Sequence, residues 1–88
     1  MEIKYQISYL EEVIKKHIPS LSSSTKILVK RAIEERLMID PISFGKPLRY
    51  SLKGHRRLRV GNYRIVYRIE EEYKIIVVAI NHRKEIYE

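Results

Sequence analysis

In the stretch His55–Arg68, HRRLRVGNYRIVYR, five basic side chains fall where one face of a hairpin would gather them. Gly61–Asn62 tolerates positive φ, the mark of a tight turn between two alternating runs. With these as loop residues, Val60 faces Tyr63, Arg59 faces Arg64 and Leu58 faces Ile65. Arg57 then faces Val66, Arg56 faces Tyr67 and His55 faces Arg68. Strand side chains alternate. Leu58, Val60, Tyr63, Ile65 and Tyr67 therefore share one face, and His55, Arg57, Arg59, Arg64 and Arg68 the other. Like charges directly opposite each other destabilise a sheet. A face with four guanidiniums and one imidazole predicts a polyanion that completes it.

Arginine forks bind phosphate oxygens bidentately. Cleaving RNA without a metal needs a base for the 2′-OH, cations for the pentacoordinate phosphate and an acid for the departing 5′-oxygen. Arginine suits the second task and is a poor base, because it keeps its proton. A histidine titrates near neutrality and suits the first or third. Strand parity brings Arg83 and Tyr87 of the C-terminal segment to the same face. Tyr87 can stack on a base, which is favourable by roughly 1–3 kcal/mol, or donate its hydroxyl.

The rest of the charge agrees. The 88-residue chain carries a net charge of +7. From Pro41 to Ile69 there are eight Lys/Arg and no Asp or Glu. The acids cluster at Glu11–Glu12, Glu34–Glu35–Asp40 and Glu70–Glu72. Such segregation points to nucleic acid. A membrane surface would call for a basic amphipathic helix, and this basic block reads as strand. No run of about 18 apolar residues is present, and the N-terminus lacks the basic and apolar regions of a signal peptide. With no cysteines and three scattered histidines, no disulfide, metal or other cofactor is expected. The size suits one domain over residues 1–88, and the whole suits a cytoplasm.

Several elements must hold that face in place. EIKYQIS (residues 2–8) alternates as a short strand. Ser8 with Glu11 has the form of a capping box. Leu10, Val13, Ile14, His17 and Ile18 follow as a first helix, stopped by Pro19. Ser22 or Ser23 caps a second helix that runs to about Leu37 or Met38. Its buried stripe is Val29, Ile33 and Leu37, flanked by Leu28 and Ala32. Pro41–Gly54 is a connection, tacked to the core by Phe44, Leu48 and Leu52. After the hairpin, a turn at Glu71–Glu72 leads into Tyr73–Ile80, apolar on both faces and so central. That turn sets Ile65 against Val78 and Arg64 against Ala79. The result is an α+β domain, β-α-α-β-β-β. A two-helix hairpin packs on one face of a mainly antiparallel four-stranded sheet and leaves the arginine face open.

GHRRLRVGNYRIVYRI, followed by VVAINHRKEIY, resembles the RelE/ParE superfamily of bacterial and archaeal toxins, on its RelE side. The resemblance covers the whole chain. It implies a RelE-like fold and a metal-independent endoribonuclease, an mRNA interferase that cuts mRNA in the ribosomal A site. It also implies a cognate RelB-like antitoxin. The family's strand arginine falls on Arg64, its late arginine on Arg83 and its near-terminal tyrosine on Tyr87. Two basic positions of the preceding strand, lysines in the best-known members, fall at about His55 and Arg57. Arg57 replaces a lysine poorly as a base, which leaves that role between His55 and Lys53. Lys53, Arg56, Arg59 and Arg68 complete the implied RNA contacts. The alternatives are a ParE-like toxin that poisons DNA gyrase, and a toxin homologue that binds ribosomes or RNA without cutting.

Overall fold

The computed structural model describes residues 4–49 and 54–82. In chain order the elements are β1 (Gln6–Tyr9), a π-helical segment (Val13–His17), and α1 (Ser23–Ala32). A second π-helical segment (Ile33–Leu37) extends α1, and a single turn, α2 (Pro41–Phe44), follows. The remaining strands are β2 (Lys46–Pro47), β3 (Arg56–Val60), β4 (Tyr63–Glu71) and β5 (Lys74–His82). They form one sheet in the order β1-β5-β4-β3-β2, in which β1 runs parallel to β5 and the other pairs are antiparallel.

The α+β class and the central place of the last apolar run match expectation. The expected four strands become five, because Lys46 pairs with Arg57 and Pro47 with Arg56. Proline lacks an amide proton, and Pro47 sits on the sheet edge, where that proton is not needed.

The helices bury Val13, Leu21, Val29, Ala32, Ile33 and Leu37 against Leu58, Ile65, Tyr67, Ile75, Val77 and Ile80. Val29, Ala32, Ile33 and Leu37 form the buried stripe expected of the second helix, whereas Leu28, expected to flank it, is 52% exposed. Ser22 is its N-cap, accepting the amide proton of Thr25 at 3.2 Å. The first helix departs from its pattern. Only Val13 is buried, whereas Ile14 is 55% exposed. Ser8 is no cap but a strand residue paired with Ile76.

His17 has a structural task. β1 covers the outer edge of β5 only from Lys74 to Val77. Beyond that, the Ile80 amide donates to His17 Nδ1 at 3.1 Å. The imidazole thus satisfies a backbone donor on an uncovered strand edge. His17→Ala leaves that donor without its partner and is expected to lower stability by about 1–2 kcal/mol. Urea unfolding measures it, and His17→Asn, which keeps an acceptor, is expected to recover part of the loss.

α2 was expected to be loop. Asp40 caps it by accepting the Ser43 amide at 3.1 Å, and Pro41 occupies the first turn. Those hydrogen bonds from Ser43 hold the Asp40 carboxyl below its ordinary pKa. Two carbonyls of α2 and that of its C-cap Gly45 are then taken from the sheet side. The Tyr67 hydroxyl donates to the Pro41 carbonyl, and Arg56 Nη2 donates to Ile42 at 2.8 Å and to Gly45 at 3.1 Å.

Burial pushes the Tyr67 phenol above its ordinary pKa. Tyr9 moves the same way, first by burial and then by the Glu34 charge. Both folded values lie above the unfolded one. Their contribution to stability is therefore complete below about pH 10 and is lost as pH rises through the folded values. The urea midpoint is expected to hold up to that point and then fall, with a shallower fall in Tyr67→Phe.

Candidate nucleic-acid interface

The turn Gly61–Asn62, with Gly61 at φ 57°, closes β3 and β4 in the expected register. Arg56 faces Tyr67, Arg57 faces Val66, Leu58 faces Ile65, Arg59 faces Arg64 and Val60 faces Tyr63. Leu58, Ile65 and Tyr67 lie in the helix-side core. Arg57, Arg59, Arg64 and Arg68 are thereby directed to the opposite face.

The next register differs from expectation. The β4–β5 turn is Glu72–Tyr73, so Glu71 faces Lys74. Tyr73 adopts φ 61°, its carbonyl accepts the Gln6 amide at 2.7 Å, and its ring leans on Tyr5 at 5.3 Å. These contacts hold Tyr73 in the turn instead of the strand. Irregularities at Ile69/Glu71 and Val66/Tyr67 shift the pairing by one residue and then back again, so the turn alone sets the register at the far end. Ile65 meets Ile80 instead of Val78, and Arg64 meets Asn81 instead of Ala79. The displacement at this end is two residues, so parity survives and Asn81 shares the face of Arg64.

Arg64 is half-buried, flanked across the sheet by Arg59 and by Asn81. Asn81 is only 8% exposed, a buried amide beside the central guanidinium that sequence reasoning did not single out. A correct β4–β5 register was the signal that could have found it. The face is not bare, as expected, but has an apolar floor. Val66, opposite Arg57, is 2% exposed and lies outside the helix-side core. Leu48, whose amide donates to the His55 carbonyl at 2.9 Å, is buried as well. Leu48, expected to tack the connection to the core, is thus buried outside the helix-side cluster.

The remaining candidates divide. His55 is half-buried, and its Nδ1 is shielded from solvent with no hydrogen-bond partner among the described residues. Arg68 is held by Glu70, Nε to Oε2 at 2.6 Å, so its charge is partly spent. Arg56 leaves the set. It faces Tyr67 on the helix side, where its guanidinium binds the carbonyls of Ile42 and Gly45. Lys53, Arg83 and Tyr87, like Leu52, lie outside the described residues. His82 stacks edge-on against Tyr63 at 5.2 Å. On the far side of the molecule, Ile7, Tyr9, Ile18, Val29, Ile33 and Met38 line an apolar cavity of about 520 Å³. No helix among the described residues is long and apolar enough to cross a membrane.

A family model, the ParE toxin of the type II toxin–antitoxin system, matches residues 10–87. The toxin RelG of Mycobacterium tuberculosis is 41% identical over 49 residues. That match covers 54% of this chain and 56% of that protein, so it spans about half the length of each. A RelBE2 toxin–antitoxin complex from Mycobacterium tuberculosis overlays with TM-score 0.83 at 27% identity, covering 92% of this chain and all of that one. The isolated RelE toxin of E. coli has the same fold, with TM-score 0.71 at 20% identity over 89% of this chain and 83% of that one. With hairpin, sheet and family model in agreement over most of its length, the chain belongs to the ParE toxin family of type II toxin–antitoxin systems, within the RelE/ParE superfamily.

Proposed function

We propose that this toxin is a ribosome-dependent endoribonuclease, which cuts mRNA in the A site by metal-free attack of a 2′-OH on the adjacent phosphate. The observation that carries the reading is the half-buried Arg64, set between Arg59 and Asn81 on a face that Arg57 extends. A preorganised, partly desolvated guanidinium stabilises the charge that develops on a pentacoordinate phosphate. His55 takes the base role ahead of Arg57, because an arginine keeps its proton. A shielded imidazole nitrogen without a partner is a group whose bonding something else completes. Arg57 and Arg59 hold neighbouring phosphates. Arg83 and Tyr87 are assigned the second phosphate contact and the stacking or proton-donating role on the resemblance alone, with Lys53 as a further cation.

The partner is a cognate antitoxin. The RelBE structures that this chain resembles in fold include toxin–antitoxin complexes. A basic face of this kind is complemented by an acidic or amphipathic segment.

The test is induced expression with mapping of mRNA 5′ ends on stalled ribosomes. New ends inside the A-site codon, absent with Arg64→Ala, support the reading. Growth arrest with intact messages refutes it. The matched family is a ParE toxin family, and one second reading is the ParE-like one, gyrase poisoning. That reading predicts gyrase-dependent DNA breaks from the purified toxin and undamaged mRNA.

A further inference from the structure

Phe44 was expected to tack the connection onto the core, yet its ring is 49% exposed. The backbone beneath it is pinned. The turn that carries it is fixed by Tyr67 at Pro41 and by Arg56 at Ile42 and Gly45, and the Phe44 amide donates to Asp40 at 3.1 Å. Beside the ring lies a cavity of about 270 Å³ lined by Arg36, Phe44, Lys46, Arg57, Leu58 and Arg59. An adjoining cavity of about 370 Å³ is lined by Lys46, Pro47, Arg49 and Arg57. The two share Lys46 and Arg57, so they form one trough along the β2–β3 edge. No acid among the described residues lines either cavity. Among the described residues, the ion pairs engage Lys15, Lys16, Arg31, Arg68 and Lys74, and none engages Arg36, Lys46, Arg57 or Arg59.

An exposed aromatic ring on a fixed turn, beside unneutralised cations, has the composition of a single-strand nucleic-acid platform. Cations track the backbone and the ring takes a base. We propose that this edge is a second RNA subsite, separate from the phosphate that is cut. It takes one nucleotide of single-stranded RNA with its base stacked on Phe44 and its flanking phosphates on Arg36 and Lys46. An acidic peptide would find the same charges. RNA is favoured because Arg57 and Arg59 belong both to the trough and to the face of Arg64. A strand seated at Arg64 is thereby led past Phe44. The proposal rests on the reading that this face engages RNA, but not on cleavage.

The probe is tryptophan fluorescence in the full chain carrying Phe44→Trp, with Arg64→Ala added so that RNA is not consumed. Uridine oligonucleotides of about two to eight residues are titrated in, and a stacked base quenches the indole. The expected result is saturable quenching that strengthens with oligonucleotide length. Adding Arg36→Ala is expected to weaken it about 10-fold and to lower the slope of log affinity against log salt by about 1. In a parallel anisotropy assay without the tryptophan, Phe44→Leu keeps the apolar bulk, lacks the flat ring and is expected to bind about 10-fold more weakly than the parent. Three outcomes overturn the proposal: no quenching by RNA, quenching indifferent to Arg36→Ala, or quenching by polyglutamate and not by RNA. Saturable quenching in a toxin that leaves mRNA whole sustains the subsite and sinks the nuclease reading. A-site cleavage without quenching does the reverse.

Discussion

Arg64→Ala is expected to lower mRNA cleavage on ribosomes by about 10²–10³-fold, the usual loss when one preorganised donor to a developing oxyanion is removed. Its position explains the size of the effect. Arg64 sits in β4, between β3 and β5, so its backbone is fixed on both sides. Its side chain is half-buried, with Asn81 across one seam and Arg59 across the other. A guanidinium held this way needs little rearrangement when the phosphate gains charge. Removing it also relieves the repulsion from Arg59, so folding is expected to survive. Arg64→Lys keeps the charge and loses the fork, and is expected to recover only part of the activity. Primer extension on ribosome-bound message measures the rate, and urea unfolding of the same samples shows that the fold is retained. If Arg64→Ala cuts within about threefold of the parent, Arg64 is not the phosphate-stabilising group.

Gly45→Ala is expected to destabilise the fold by about 3 kcal/mol or more, near the upper end for overpacking one atom. The cause is space, not backbone conformation. Gly45 has φ −98° and ψ 158°, an extended geometry that alanine adopts freely. A Cβ there would lie 1.7 Å from the Tyr67 hydroxyl oxygen and 2.7 Å from Cζ. Tyr67 cannot retreat readily, since it is fully buried. Shifting its ring breaks the bond to Pro41 and disturbs the two bonds from Arg56 that tie down α2. Deleting the hydroxyl with Tyr67→Phe removes the closest clash and leaves the one at Cζ, so the double variant is expected to recover only partly. The contrast is Gly61, where a Cβ meets nothing within 4 Å and the only obstacle is φ 57°. Gly61→Ala is accordingly expected to cost about 1 kcal/mol. Urea midpoints of the four variants decide the matter, and a Gly45→Ala protein within about 0.5 kcal/mol of the parent refutes the packing argument.

The hairpin was legible because two independent signals agreed in it. Gly61–Asn62 fixed the turn, and alternation from Arg56 to Val60 and from Tyr63 to Tyr67 fixed the faces. The next strand gave no such agreement. Tyr73 reads as a strand residue by propensity, yet contacts with Gln6 and Tyr5, distant in sequence, hold it in the turn. The irregularities at Val66/Tyr67 and Ile69/Glu71 leave no local mark in the sequence. Arg56 shows a different failure. Its parity already placed it with Tyr67, but its charge grouped it with the other arginines. The carbonyls of α2 that claim it could not be foreseen while Pro41–Gly54 read as loop. Phe44 fails for the converse reason. An apolar residue in a connection suggests an anchor, and only the fixed turn shows that it points outward.

The place of β5 has a consequence for how the toxin comes into being. β5 is the last strand among the described residues, yet it lies between β1 and β4 in the sheet. Among the described residues β1 has no other strand neighbour, and the first helical segment is tied through Leu10 and His17 to Val77 and Ile80. While the protein is being synthesised, the hairpin can close early, but the N-terminal third has nothing to pair with until residues 74–82 have left the ribosome. Such long-range pairing is slow to form. Closure of the sheet around Arg64 therefore waits for residues 74–82, distant from β1 in sequence, which leaves an interval in which another chain can meet the open edge of β5 before the sheet closes.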